Sequence, residues 1–310
     1  MSCAVIISLF AMAVRMTIPY LYASLGEMYA QKSGVMNLGL EGMMTVGAFM
    51  AFMVNYYTGN YWLGFLAAVG GCLMVGLIYG ALVIWFGVDQ AITGIAFNLL
   101  ILGSSSFFFR LVFGIPKVMP LAENTFPIVK IPLLCDIPWL GPVLFQQYGL
   151  TYLALLLVVF SVFFFQRTKA GIVIIACGES PKAAETRGVH VNRTRLLCVL
   201  VSTLFAAAAG TYLSTAAFNQ YTAGMVSGRG YIAYALVIFG RWNPAYILLG
   251  ALLFGFLEAL ALLMQVTSLI PHQFLLMAPY LLTVLALVVT SLKSRSARPA
   301  CLGVRYKTSK

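Results

Sequence analysis

Apolar residues run along this chain in blocks of roughly 18 or more, separated by short polar, glycine-rich or proline-rich breaks. A helix needs about 20 such residues, at about 1.5 Å each, to cross about 30 Å of hydrocarbon. The blocks place spans near residues 4–25, 34–54, 61–86, 91–113, 148–166, 196–218, 231–239 with its upstream flank, 246–266 and 273–292. This predicts an all-α polytopic integral membrane protein of about nine transmembrane helices, within a range of roughly eight to ten. Residues 1–292 read as a single transmembrane domain, and 293–310 as a basic tail. The seventh block is irregular: Arg229 and several glycines interrupt residues 223–240, as expected of a broken or re-entrant helix.

Composition supports the same class. The 310 residues are 62% hydrophobic and 9% charged, with a mean hydropathy of +0.96, whereas a soluble domain carries about 25% charged residues. The net charge of +11 raises the question of a nucleic-acid partner, but the cations gather in two short segments with no interleaved aromatic stripe. Nucleic acid is therefore excluded, and membrane lipid is the surrounding medium. Residues 167–195 carry Arg167, Lys169, Lys182, Arg187, Arg193 and Arg195 against Glu179 and Glu185. From Lys293 onward come Lys293, Arg295, Arg298, Arg305, Lys307 and Lys310 with no acid, while 114–147 balances Lys117 and Lys130 against Glu123 and Asp136. Positive loops stay inside, so 167–195 and the tail are expected to be cytoplasmic and 114–147 extracytoplasmic. That outer segment holds Pro116, Pro120, Pro127, Pro132, Pro138 and Pro142 and should be neither helix nor long strand. It is either a docking surface for an external partner or a plain connector.

No catalytic constellation is visible. His190 and His272 are far apart, and GxSxG, HExxH and the phosphate-binding GxxxxGK[ST] are missing. Cys3, Cys72, Cys135, Cys177, Cys198 and Cys301 stand singly without a CxxC pair, so neither a metal site nor a disulfide framework is indicated. A transporter built this way borrows ATP hydrolysis from another polypeptide or runs on an ion gradient. Polar groups inside apolar spans are few: Arg15, Asn37, Glu41, Asn98, Arg229 and Glu258, with Asp89 at a span boundary. If the second helix starts near residue 34, Glu41 lies about 10 Å deep with Asn37 four residues before it on the same face. The pair then glues helices together, lines a pathway or carries a proton. Under the first reading Glu41→Gln is milder than Glu41→Leu. Phe97, Tyr212, Phe218 and Tyr221 are rings that could stack on a base.

The basic loop carries a more defined signal in Cys177-Gly178-Glu179-Ser180-Pro181-Lys182-Ala183-Ala184-Glu185-Thr186-Arg187-Gly188-Val189. Ser180 suits an N-cap, Pro181 the first helical position and Gly188 the left-handed residue that ends a helix. The result is a short surface helix with small Ala183 and Ala184 at its centre. It is either an ordinary connector or a docking knob.

This segment resembles the cytoplasmic coupling helix of ABC importer permeases of the branched-chain amino acid, ribose and nucleoside superfamily. Leu25-Gly26-Glu27 with Lys32-Ser33-Gly34-Val35-Met36-Asn37-Leu38-Gly39-Leu40-Glu41-Gly42 resembles a second signature of that superfamily. Asp89-Gln90-Ala91-Ile92-Thr93-Gly94 with Asn98 resembles a third. Residues 224–233 and Ile238-Phe239-Gly240-Arg241-Trp242-Asn243-Pro244 are similar to the nucleoside and simple-sugar branch. The departures are Lys32 where Arg is common and Asp89-Gln90 where Asn-Glu is common. The resemblance implies a permease subunit in a bacterial cytoplasmic membrane that carries nucleosides, purine nucleosides first, or simple sugars. It implies that Glu179, Ser180, Pro181, Ala183, Ala184, Glu185 and Gly188 meet an ATPase subunit. That partner would use ATP and Mg, with no cofactor bound by this chain. It further implies a paralogous second permease in a heterodimer and an extracytoplasmic solute-binding protein. The alternative is an ion-coupled secondary transporter of a small polar solute, which would show paired interrupted spans.

Overall fold

The computed structural model describes residues 3–116, 118–130, 132, 140–267, 277, 281 and 298–306. Its helices are α1 (Cys3–Lys32), α2 (Leu40–Thr58), α3 (Tyr61–Gly80), α4 (Gln90–Phe113), α5 (Leu140–Leu144) and α6 (Gly149–Arg167). Then come α7 (Lys169–Glu179), α8 (Pro181–Thr186), α9 (Val191–Thr211), α10 (Arg229–Phe239) and α11 (Pro244–Thr267). Two short strands, β1 (Ile128–Lys130) and β2 (Gln146–Tyr148), pair antiparallel with Val129 opposite Gln147. α3 and α9 each continue into a π-helical segment, Ala81–Phe86 and Tyr212–Ala217.

Six helical stretches among the described residues are long and apolar enough to span a membrane: Val5–Lys32, Tyr61–Phe86, Gln90–Phe113, Gly149–Arg167, Val191–Ala217 and Pro244–Met264. With this apolar exterior, the chain is a multi-pass membrane protein. Apart from Met277 and Leu281, the expected span at 273–292 lies outside the described residues, as do Cys135, Asp136, Lys117, His272 and residues 293–297 and 307–310 of the basic tail.

Three expected boundaries change. α1 runs to Lys32 rather than stopping near residue 25, because its polar extension is internally paired: Gln31 Nε2 donates to Glu27 Oε1 at 2.9 Å, both side chains fully buried. α2 begins at Leu40 rather than 34, since Gly34 takes a left-handed φ of 96° that ends helical geometry after α1. The seventh block is the 11-residue α10, about 16 Å long, or about half a membrane crossing. In the 114–147 segment a five-residue helix does form, which corrects the expectation of none. Pro142 sits in its first turn, where the missing N–H has no partner to lose.

α1 and α9 form the centre, while α4 lies at the periphery: 72% of the most apolar window of α9 is buried, against 22% for α4. α9 earns that position with the small-residue run Ala206–Ala209 and Gly210, which lets α2 approach closely. A Cβ on Gly47 would stand 2.9 Å from Ala207 Cα, nearer than real Cβ contacts allow. Tyrosines tie α6 to α1: Tyr22 donates to the Leu150 carbonyl at 2.7 Å, and Tyr29 to Ser161 Oγ at 3.0 Å. Arg15, the charge inside the first span, donates to Gln147 Oε1 at 3.1 Å and lies 5.3 Å from the Tyr148 ring. Lys32, α7, α8 and residues 298–306 gather at the other end of the bundle, the basic end.

Candidate functional site

The polar interior of this protein is organised around two places where helical backbone stops inside the bundle: residues 33–39, before α2, and residues 218–228, before α10. Broken backbone in an apolar medium survives only if its N–H and C=O groups find partners. For 33–39 those partners can be named one by one. Met36 N donates to Gln90 Oε1 at 2.8 Å and Asn37 N to Glu27 Oε1 at 3.1 Å. The Met36 carbonyl accepts from Tyr79 Oη at 2.7 Å and the Leu38 carbonyl from Asn98 Nδ2 at 2.8 Å. The Ser33 carbonyl accepts from Arg195 Nε at 3.1 Å, and the Gly34 carbonyl from Gly303 N at 3.0 Å.

The second break is closed mainly by Glu41. Its carboxylate accepts from Gly228 N at 2.8 Å through Oε1 and from Gly230 N at 2.7 Å through Oε2, forming a two-point cap on the first turn of α10. Glu41 itself lies in the first turn of α2. Two helix N-termini, each with about half a positive charge, therefore meet across one carboxylate, which offsets a repulsion that a neutral side chain would leave in place. Gly230 admits this contact, since a Cβ there would stand 2.7 Å from Glu41 Cα. Arg229 pairs with Glu258 of α11 and donates to the Met225 and Val226 carbonyls at 2.8 and 3.0 Å, so the α10 start is pinned on both sides.

Asn98 joins the two breaks. Its Oδ1 accepts from Gly42 N at 2.8 Å, and its Nδ2 donates to the Leu38 carbonyl and to Tyr231 Oη, both at 2.8 Å. Asn37 sits in the linker, not on a helix face with Glu41, and its Nδ2 donates to Ser202 Oγ at 3.2 Å. The expected Asn37–Glu41 pair is thus replaced by separate partners, because the chain between them is not helical. Of the predicted polar set, Asn37, Glu41, Asn98 and Arg229 come together. Asp89 does not: it caps α4 by accepting from Ala91 N and Ile92 N, both at 2.9 Å. Glu27, Gln31, Tyr79, Gln90, Ser202 and Tyr231 were missed as site residues. Gln90, next to Asp89, is the residue that reaches the linker. Glu27 and Gln31 carry a readable signal, two polar side chains four residues apart at the end of an apolar block.

Among the rings, Tyr212 and Tyr221 are fully buried against their own chain. Phe218 instead lines a cavity of about 640 Å³ with Arg15, Lys130 and Tyr148, at the end opposite the basic one.

At the basic end, α8 has Pro181 at its first position, and Gly188 takes the left-handed φ of 84° beyond its end. Ser180 occupies the N-cap position without a side-chain cap bond, and α8 spans six residues. Cys177 belongs to α7 and is fully buried. Ala184 is also buried, covered by Tyr306 and packed with Cys177 and Val191, while Ala183 beside it is exposed. The exposed positions on α8 and its flanks are Glu179, Ser180, Lys182, Ala183, Thr186, Arg187 and Gly188, while Glu185 is half-buried and accepts from Tyr306.

Two connections that leave helical geometry inside an apolar bundle, each closed by side chains, are an arrangement that membrane transport proteins use around their sites. Residues 9–290 match the family described as branched-chain amino acid transport system / permease component, and the chain belongs to that family. It is 38% identical to the guanosine ABC transporter permease protein NupQ of Bacillus subtilis (strain 168), covering 93% of this chain and 92% of that protein. It is also 38% identical to the putative glucose ABC transporter permease protein TsgC13 of Haloferax volcanii, over 90% of each. With the nucleoside ABC transporter permease protein NupC of Lactococcus lactis subsp. cremoris it shares 29% identity over 94% of each.

Proposed function

We propose that this chain forms half of the translocation pathway of an ATP-driven importer for nucleosides, purine nucleosides first and simple sugars second. The observation that carries this reading is similarity over nearly the whole chain to permease proteins named for guanosine, nucleosides and glucose. The twice-broken helical interior suits the importer and the ion-coupled alternative alike, since both must switch which side they open to, and it is the family match that favours the importer.

In this reading the chain has about nine spans in a bacterial cytoplasmic membrane. Segment 114–147 lies outside, and 167–195 and the C-terminus lie inside. A second, paralogous permease completes the pathway, an extracytoplasmic binding protein delivers the solute, and ATPase subunits hydrolyse ATP with Mg. This chain itself carries out no bond chemistry. α8 serves as the coupling helix and presents Lys182, Ala183, Thr186 and Arg187, a predominantly basic face suited to an acidic groove. Closure of the ATPase pair displaces α8, and the packed spans respond as a two-state unit.

Reconstitution tests this directly. Proteoliposomes holding both permeases, the ATPase subunits and the binding protein should take up guanosine only with ATP, and excess glucose should not compete. Uptake that persists without the ATPase subunits and follows a proton or sodium gradient would establish the ion-coupled alternative instead.

A further inference from the structure

Within the segment read from sequence as a basic tail, residues 298–306 lie against the basic end. Leu302 enters the main apolar core and Tyr306 is 8% exposed over Cys177, Ala184 and Val191. Cys301 N donates to the Gly178 carbonyl at 2.9 Å, Gly303 N to the Gly34 carbonyl at 3.0 Å, and Tyr306 Oη to the Glu185 carboxylate. That last bond pushes the Tyr306 phenol up to about 12, so it stays protonated and donating throughout the neutral range.

Arg195 connects the same parts from beneath. Only 3% exposed, its guanidinium donates to three carbonyls on three different segments: Ser33 at 3.1 Å, Val304 at 3.0 Å and Cys177 at 3.5 Å. A guanidinium is the side chain best suited to this, since its planar fork offers several donors in fixed directions and keeps its charge. The Arg195 and Gly303 bonds end on carbonyls of residues 33 and 34, where the linker to Glu41 begins. One continuous hydrogen-bonded path thus runs from α8 through residues 301–306 and Arg195 to the first helix break.

We propose that residues 298–306 are a strap which, with Arg195 as its positioning residue, binds α8 to the 33–39 linker so that the two move as one body during transport. The proposal rests on reading α8 as the coupling helix. It adds that α8, only six residues long, gains from the strap a second hold on the bundle beside its own packing through Ala184 against Cys177 and Val191.

Cys177, buried under Tyr306, is a built-in reporter for the strap and needs no assumption about ATPase partners. The tests use the full chain in its transporter complex, and also the chain alone, with Tyr306→Ala, a chain ending at Pro299, and Arg195→Lys. Maleimide labelling of the Cys177 peptide, read by mass spectrometry, should rise about tenfold in the first two. In the complex those two variants should keep their ATPase subunits and ATP hydrolysis while solute moved per ATP falls about tenfold, and Arg195→Lys, which cannot reach three carbonyls in one plane, should fall about threefold. Unchanged Cys177 labelling in Tyr306→Ala would overturn the strap, and unchanged solute per ATP in the same variant would overturn its role in coupling. If the truncated chain fails to accumulate, Tyr306→Ala decides alone. A chain that retains no ATPase subunit even as wild type would count against the importer reading, while Cys177 labelling would still decide the strap.

Discussion

The two helix breaks solve the same problem by different means. Residues 33–39 are largely buried, and side chains from α1, α3, α4 and α9, together with the strap, supply partners for their backbone. Residues 218–228 are mostly half-exposed and turn on themselves, with Asn219 and Ser227 at φ 51° and Gly224 and Gly228 at 78° and 80°. Non-glycine residues at positive φ store strain, and the anchor of that second break rests on Glu41 and the Arg229–Glu258 pair. A break held by many partners is rigid. The second break, held by the Glu41 cap, the Arg229–Glu258 pair and the Asn219 bond to the Ala122 carbonyl, has fewer partners to exchange, so its contacts are the easier to rearrange, while the linker keeps its shape and travels with α8 and the strap.

That contrast can be broken most sharply at the ion pair. Arg229→Met should lower stability by about 3–5 kcal/mol, because it strands Glu258 largely buried, and Arg229→Met with Glu258→Leu should recover most of that loss. Thermal unfolding of the purified permease in detergent across this double-mutant cycle measures it; additive losses would show the pair to be uncoupled.

Glu41 is next. Gln carries one acceptor and would aim an amide donor at a backbone N–H, so Glu41→Gln should be nearly as damaging as Glu41→Leu, each by about 2–4 kcal/mol with loss of uptake. This replaces the expectation that Gln is milder than Leu, because the partners are two backbone donors. Full uptake in Glu41→Gln at normal protein levels would show that the cap needs no charge.

On the linker side, Tyr79→Phe removes one of several contacts to the linker and should cost about 1–2 kcal/mol while leaving ATP-dependent uptake within about twofold. A complete loss of transport there would make the linker, not the α10 side, the sensitive element. Asp89→Ala supplies the smallest effect: losing the α4 cap costs about 1 kcal/mol and leaves substrate preference unchanged. A shifted guanosine-to-glucose uptake ratio in that variant would bring Asp89 back to the pathway.

Much of this was legible in one dimension, for a physical reason. Hydrocarbon demands unbroken apolar runs, so the positions of most spans follow from local pattern, as do Pro181 and Gly188 bounding α8 and the irregularity around Arg229. Those features depend on a residue and its near neighbours alone. The motif residues Asn37, Glu41, Asn98 and Arg229 were visible as polar groups where apolar ones are the rule.

Their partners were not visible, because partnership is a matter of distance in space. Glu41 meets Gly228 and Gly230 from the opposite side of the sequence, Asn98 bridges Gly42 and Tyr231, and Arg195 reaches Ser33 and Val304. The sequence places Ala183 and Ala184 alike at the centre of a surface helix, and only the fold puts Tyr306 over one of them. Sequence by itself determined which stretches could live in lipid and which polar groups would need an explanation. Only the tertiary structure decided which carboxylate caps which helix, since a buried backbone N–H takes whichever acceptor the packing of small residues such as Gly47 and Gly210 brings within about 3 Å.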